Sequence, residues 1–272
     1  MYEEPYRWVE AIGNRRQYLD DQLEEGAPVV GVAYERGILL MTMSKGTPKL
    51  YEIYDRLALG GMGHPADLEK LRFNLLEMAH VEGFNRSASD VTGSRLVKYG
   101  IAPVIKQAFE EVFKAPFIVK MLLAELGRKS GKDGFLTINY DGTFEEKRQY
   151  AVLAATPAAE QKMIEYVRKQ SIGSLKDAVD AAIRTWAVGD RAQRPTLEDG
   201  EGHDEAKTGP DQSMTDVETL YAHLRRCIAE KTIECALLDH HVQGPSKYRT
   251  LGADELRTML PADLNPSLTE SC

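Results

Sequence analysis

The chain has 272 residues, 43% hydrophobic and 28% charged, with 34 basic against 42 acidic side chains and a formal charge of −8. That balance speaks against a nucleic-acid surface, which needs clustered lysine and arginine to meet phosphates. No apolar run approaches the ~20 residues that span a bilayer, and the start MYEEPYRW lacks the charged-then-apolar order of a signal sequence, so no membrane partner and a cytoplasmic address are expected.

Residues 5–24 read as an amphipathic helix. Pro5 suits a first helical position, Trp8, Ile12, Leu19 and Leu23 fall near one stripe, and Gly26 closes the helix. Two apolar strands follow, Val29 to Tyr34 and Ile38 to Met43, joined as a hairpin through Glu35-Arg36-Gly37. Leu50 to Tyr54 and Arg56 to Leu59 read as two more. Leu68, Leu71, Leu75, Met78 and Ala79 then repeat at helical spacing, in a helix of about 64–84. A second helix, about 92–114, carries Leu96, Ile101, Ile105 and Phe109, with Pro103 expected to kink or break it.

Strands return at Phe117 to Leu126 and Phe135 to Tyr140. Asp141-Gly142 supplies a tight turn into Thr143 to Lys147, and Tyr150 to Ala155 is another apolar strand. Helices are expected at about 158–169 and 174–188, the latter opened by Ser174 and Asp177 as a capping box. Residues 189–213 are polar and rich in Gly, Pro and acidic groups, and read as a mobile loop. A helix of about 215–229, a strand Thr232 to Asp239, a short strand near Lys247 to Leu251 and a helix 252–260 complete the pattern. Both strand blocks are apolar on both faces, which two packed sheets with helix pairs outside would satisfy.

The residues offer little conventional chemistry. Cys227, Cys235 and Cys272 form no CxxC pair and read as reduced thiols. No HExxH occurs, and the adjacent His240 and His241 would face opposite ways, a poor arrangement for one metal. Neither GxGxxG nor GxxxxGKS/T is present. No metal or cofactor is expected.

The segment Ala27 to Gly63, APVVGVAYERGILLMTMSKGTPKLYEIYDRLALGGMG, resembles the opening of proteasome subunits, with Lys49, Leu50, Ile53 and Asp55 in a K-L-x-x-I-x-D run before a small-residue strand. Asn85 to Leu96 (NRSASDVTGSRL) resembles the start of a helix in bacterial α subunits, and IECALLDHHVQGPSKYRTLGADELRTML their final strands and helix. The resemblance covers residues 5–188 and 232–260. It implies an α+β fold, the four-layer αββα sandwich of N-terminal-nucleophile hydrolases. It also implies an organisation of residues 1–25 as a gate segment and helix, 26–260 as the sandwich domain with an insertion at 189–231, and 261–272 as a frayed tail. The implied assembly is a stack of heptameric rings, α outside and proteolytic β inside.

Proteolytic β subunits attack with an N-terminal threonine hydroxyl whose own α-amine is the base, tuned by an acidic residue and a lysine. On that pattern Ala27 stands at the nucleophile, Met43 at the acid, and only Lys49 remains. The resemblance therefore implies a non-catalytic α-type subunit with proteasome β subunits and a ring-shaped AAA ATPase as partners. It assigns Lys49, with Gly26 and His64, to a pocket between neighbouring α subunits that receives the ATPase's C-terminal carboxylate. Tyr2, Pro5 and Tyr6 would form the gate. The helices of about 64–84 and 92–114 would face the β ring, and Trp8 a neighbouring α subunit. Two alternatives stay open: a self-processing hydrolase with another nucleophile, and a homo-oligomeric scaffold without β partners.

Overall fold

The computed structural model describes residues 5–111, 113–128, 131–194, 216–261 and 264. Helix α1 (Pro5–Leu23) leads into β1 (Val29–Tyr34) and β2 (Gly37–Ser44), then β3 (Leu50–Tyr54) and β4 (Leu57–Gly63). After α2 (Pro65–Asn85) come α3 (Gly93–Leu96) and α4 (Ala102–Glu110), with Val97–Ile101 wound as a π turn between them. Strands β5 (Val119–Glu125), β6 (Gly134–Ile138), β7 (Phe144–Lys147) and β8 (Tyr150–Leu153) follow, then α5 (Pro157–Arg168) and α6 (Leu175–Gln193). Helix α7 (Val217–Glu230), β9 (Thr232–Asp239), β10 (Tyr248–Thr250) and α8 (Ala253–Met259) end the described chain.

The strands form two antiparallel five-stranded sheets, ordered β10-β9-β2-β1-β8 and β3-β4-β5-β6-β7. Side chains on a strand alternate between faces, and here both faces are buried. On β2, Ile38 and Leu40 enter the core between the sheets, while Leu39, Met41 and Met43 enter the core beneath α5, α6, α7 and α8. On β5, Leu122 and Ala124 face the middle core, and Val119, Met121 and Leu123 face α2, α3 and α4. The result is the αββα sandwich. Helix α1 adds Leu19 and Leu23 to the middle core at one end.

Local chemistry explains several boundaries. Ser174 Oγ accepts from the Asp177 N–H at 3.2 Å and the Asp177 carboxylate accepts from the Ser174 N–H at 2.9 Å, so the expected capping box forms. Gly142, at φ +81°, makes the turn before β7, where its N–H donates to the Asn139 carbonyl at 3.0 Å. Pro103 does disturb its helix: the π turn lies just ahead of it, and the Ala102 N–H reaches back to Val97. That helical stretch ends at Glu110, short of the expected 114.

The larger correction concerns residues 189–193. Read as the start of a mobile loop, they continue α6 to Gln193, with Gly189, Asp190 and Gln193 buried. Within the expected insertion at 189–231, the expected helix forms as α7, and its Leu220, Leu224, Cys227 and Ile228 join the helix-covered core. Residues 195–215, and all of the tail past 261 except Leu264, lie outside the described residues, as does Tyr2 of the expected gate.

Candidate functional site

The end of α1, the ends of β2 and β4 and the last turn of α6 surround a cleft of about 810 Å³. Ala27 and Met43 line it. Ala27, which the resemblance sets at the nucleophile position, offers only a methyl group, 6% exposed, and Met43, set at the acid position, a fully buried thioether. Neither side chain can attack a carbonyl or hold a proton. The Cys227 thiol is no substitute, because burial and the Asp190 carboxylate push it up to about 11.

The remaining wall is cationic. Lys45, Lys49, Arg194 and Lys231 line the cleft with Glu24 and Glu25. Arg194 Nη2 donates to the Glu25 carbonyl at 2.9 Å and Gln193 Nε2 to the Gly26 carbonyl at 2.8 Å, so the end of α6 clamps the turn that presents Ala27. Lys231 Nζ lies 3.3 Å from Asp190 Oδ1 and 5.0 Å from the centre of the Trp186 ring. Lys45 pairs at 3.8 Å with Glu230 at the surface.

Lys49 differs from these three. Its backbone N–H donates to Glu234 Oε2 at 2.9 Å, yet among the described residues nothing engages its half-buried ammonium. Burial, reinforced by Lys231 and Arg194 and opposed by Glu234, holds its pKa below the ordinary lysine range. Lys120 is the useful contrast. It too is lowered by burial, but its ammonium donates to the Ala154 and Ala155 carbonyls at 2.8 and 3.0 Å, a satisfied internal cation. An ammonium that makes no hydrogen bond or ion pair among the described residues, in a cleft with three further cations, is suited to receiving a carboxylate.

The three residues expected to share a pocket are placed differently. Gly26 contributes the carbonyl that Gln193 holds, and an added Cβ there would come within 2.6 Å of Met62 Cγ. Gly63, at φ +122°, bends the chain from β4 into α2; it and Pro65 line the Lys49 cleft. The ring of His64 between them lines a neighbouring cleft of about 500 Å³ with Tyr18, Asp67 and Phe117. Its Nδ1 caps α2 by accepting from the Ala66 N–H at 3.3 Å. Pro5 and Tyr6 lie on the first turn of α1.

Sequence reasoning missed Gln193, Arg194 and Lys231. The signal available was that the helical spacing does not stop at Val188, since Asp190 and Gln193 follow Trp186 by four and seven residues. The adjacent histidines do separate, His240 Nε2 toward Asp133 at 3.2 Å and His241 Nδ1 toward Asp239 at 3.4 Å.

Several large apolar side chains face outward. Phe73, Val81 and Phe84 on α2 join Tyr99 of the π turn, with Phe84 90% exposed; Trp8, Val9 and Tyr18 are exposed on α1. Among the described residues no helix is long and apolar enough to cross a membrane.

Comparison with known proteins adds a family. The family model described as proteasome subunit matches residues 23–192. A proteasome subunit alpha of Acidimicrobium ferrooxidans is 32% identical over 142 residues, 52% of this chain and 60% of the relative. One of Streptosporangium roseum is 30% identical over 202 residues, 71% of this chain and 76% of the relative. One of a Nocardioides species is 27% identical over 185 residues, 66% and 71% of the two chains.

Proposed function

Since the chain belongs to the proteasome subunit family, as an α-type member, we propose that it builds the outer, non-proteolytic ring of a bacterial proteasome core. In that role it docks a ring-shaped AAA ATPase and gates the passage of protein substrates to catalytic β subunits. The observation that carries this reading is the pairing of Ala27 with Lys49. The cleft keeps the lysine but has a methyl for the hydroxyl and a thioether for the carboxylate, leaving a charge that can bind but a site that cannot cut.

The rest of the surface is consistent with rings. Phe73, Val81 and Phe84 of α2 and Tyr99 of the π turn are large apolar side chains left exposed, and we assign them to contact with the β ring. Trp8 and Val9 of α1 are assigned to the neighbouring α subunit, in a ring of seven. The cleft beside α1 then opens at the seam between neighbours, where Lys49 receives the ATPase's terminal carboxylate. Residues 1–7, with Tyr2, Pro5 and Tyr6, are assigned to the gate at the axis.

Co-expression with a β-type subunit from the same organism, followed by electron microscopy, tests the assembly. Four stacked rings with this chain outermost are expected, whereas rings of this chain alone would favour a scaffold without β partners. In the same particle, removal of residues 1–7 should speed hydrolysis of short peptides. An unchanged rate would count against the gate.

A further inference from the structure

Asp190, His223 and Cys227 converge where the last turn of α6 meets α7, behind the Arg194 and Lys231 wall of the Lys49 cleft. Asp190 is 2% exposed, and its two oxygens have different company. Oδ1 takes the cations, Lys231 Nζ at 3.3 Å and Arg194 Nη1 at 3.7 Å. Oδ2 faces His223 Nε2 at 3.0 Å and Cys227 Sγ at 3.8 Å. His223 and Cys227 stand one turn apart on α7, and Sγ lies 3.4 Å from Nε2.

One oxygen, one nitrogen and one sulfur thus form a triangle with edges of 3.0, 3.4 and 3.8 Å. Tetrahedral zinc, with bonds of about 2.0–2.3 Å, sets its ligands roughly 3.3–3.7 Å apart. Shifts of a few tenths of an ångström close the difference. The arrangement is not a catalytic triad. There the carboxylate holds the imidazole nitrogen opposite the one that meets the nucleophile, whereas here thiol and carboxylate both approach Nε2. Three donor atoms of different elements gathered this closely could serve as ligands to one ion.

We infer that Asp190, His223 and Cys227 form a three-ligand site for a thiophilic divalent cation, zinc fitting best, with a fourth position open to water. The donor set of thiolate, imidazole and carboxylate disfavours magnesium and calcium, which take oxygen ligands. His223 retains 18% exposure of its side chain, which gives an ion a route in. Binding releases the thiol proton to solvent, so the thiolate adds one negative charge to that of the carboxylate facing the ion. Lys231 and Arg194 remain on Oδ1. The ion would therefore tie α7 to the end of α6 without displacing the cations that line the cleft.

The test is zinc titration of the untagged full-length chain after chelator treatment, read by competition with a chromophoric chelator. One ion per chain is expected, with affinity falling about a hundredfold or more in Cys227→Ser and in His223→Ala. Cys235→Ser, on β9 outside the cluster, should bind as the wild type does. Cobalt substituted for zinc should show a thiolate-to-metal charge-transfer band that Cys227→Ser abolishes. Circular dichroism confirms that each variant is folded. Absence of one-to-one binding, or binding that survives both substitutions in folded protein, would overturn the site and leave the cluster as a hydrogen-bonded brace.

Discussion

Lys49→Glu in the assembled particle should weaken binding of the partner ATPase's C-terminal peptide by tenfold to somewhat over a hundredfold. Loss of one charge-assisted contact costs about 1.5–3 kcal/mol, and about 1.4 kcal/mol is a tenfold change. Glutamate also places a like charge opposite the incoming carboxylate. Lys49→Ala should show most of the same loss. Both variants should still assemble, because the Lys49 ammonium holds no internal partner among the described residues. ATPase-dependent degradation should fall with peptide binding, while hydrolysis of short peptides by the β subunits stays unchanged.

The same residue gives a pH signature. Only the ammonium pairs with a carboxylate, and burial with two neighbouring cations lowers the pKa of Lys49. Tail binding is therefore complete below that lowered pKa and declines above it, by up to about tenfold per pH unit. The decline begins at lower pH than an ordinary exposed lysine would allow. Lys49→Arg, charged throughout, should bind but lose that alkaline fall. Peptide binding that is indifferent to Lys49→Glu would remove the docking assignment outright.

Trp186→Ala should be the most damaging single core substitution. The side chain is fully buried at the centre of α6, within the core shared by the first sheet and α5, α7 and α8. Truncating a buried tryptophan to alanine costs about 3–5 kcal/mol, a large fraction of a domain's stability. The indole also lies under Lys231 Nζ, so its loss loosens one wall of the cleft. Denaturant unfolding at fixed protein concentration measures the cost, since assembly adds to apparent stability. Trp186→Phe should recover a substantial part of it. A cost below about 1 kcal/mol for Trp186→Ala would contradict the packing of α6.

The fold was readable in the sequence where each element carries its own punctuation. The Val29–Tyr34 and Gly37–Ser44 hairpin, the Ser174 capping box and the Gly142 turn all depend on residues close in the chain. Reading failed where a distant partner decides. Asp190 looks like a loop residue, because a buried carboxylate in a helix is costly without partners. Its partners His223 and Lys231 lie 33 and 41 residues downstream, beyond a polar stretch without periodicity. With them in place α6 continues to Gln193 and becomes a wall of the site.

The site divided along the same line. Lys49 stands out through resemblance alone, since the run Lys49-Leu50 through Ile53 and Asp55 is similar to the opening of proteasome subunits. Gln193, Arg194 and Lys231 reach the cleft from two different helix ends, and no local pattern announces that. His64 shows the opposite limit. Its neighbours Gly63 and Pro65 line the cleft, but capping α2 turns its ring toward the next one.

In the proposed role this chain contributes to proteolysis by binding and shape, with the Ala27 methyl group standing where a proteolytic subunit carries a hydroxyl. Intact-mass measurement of the chain from purified particles, beside a peptide-hydrolysis assay of the chain expressed alone, tests it most directly. The expected result is a mass that retains the segment before Ala27, and no cleavage by the isolated chain. A chain cut to a new amino terminus and hydrolysing peptides without β subunits would contradict it.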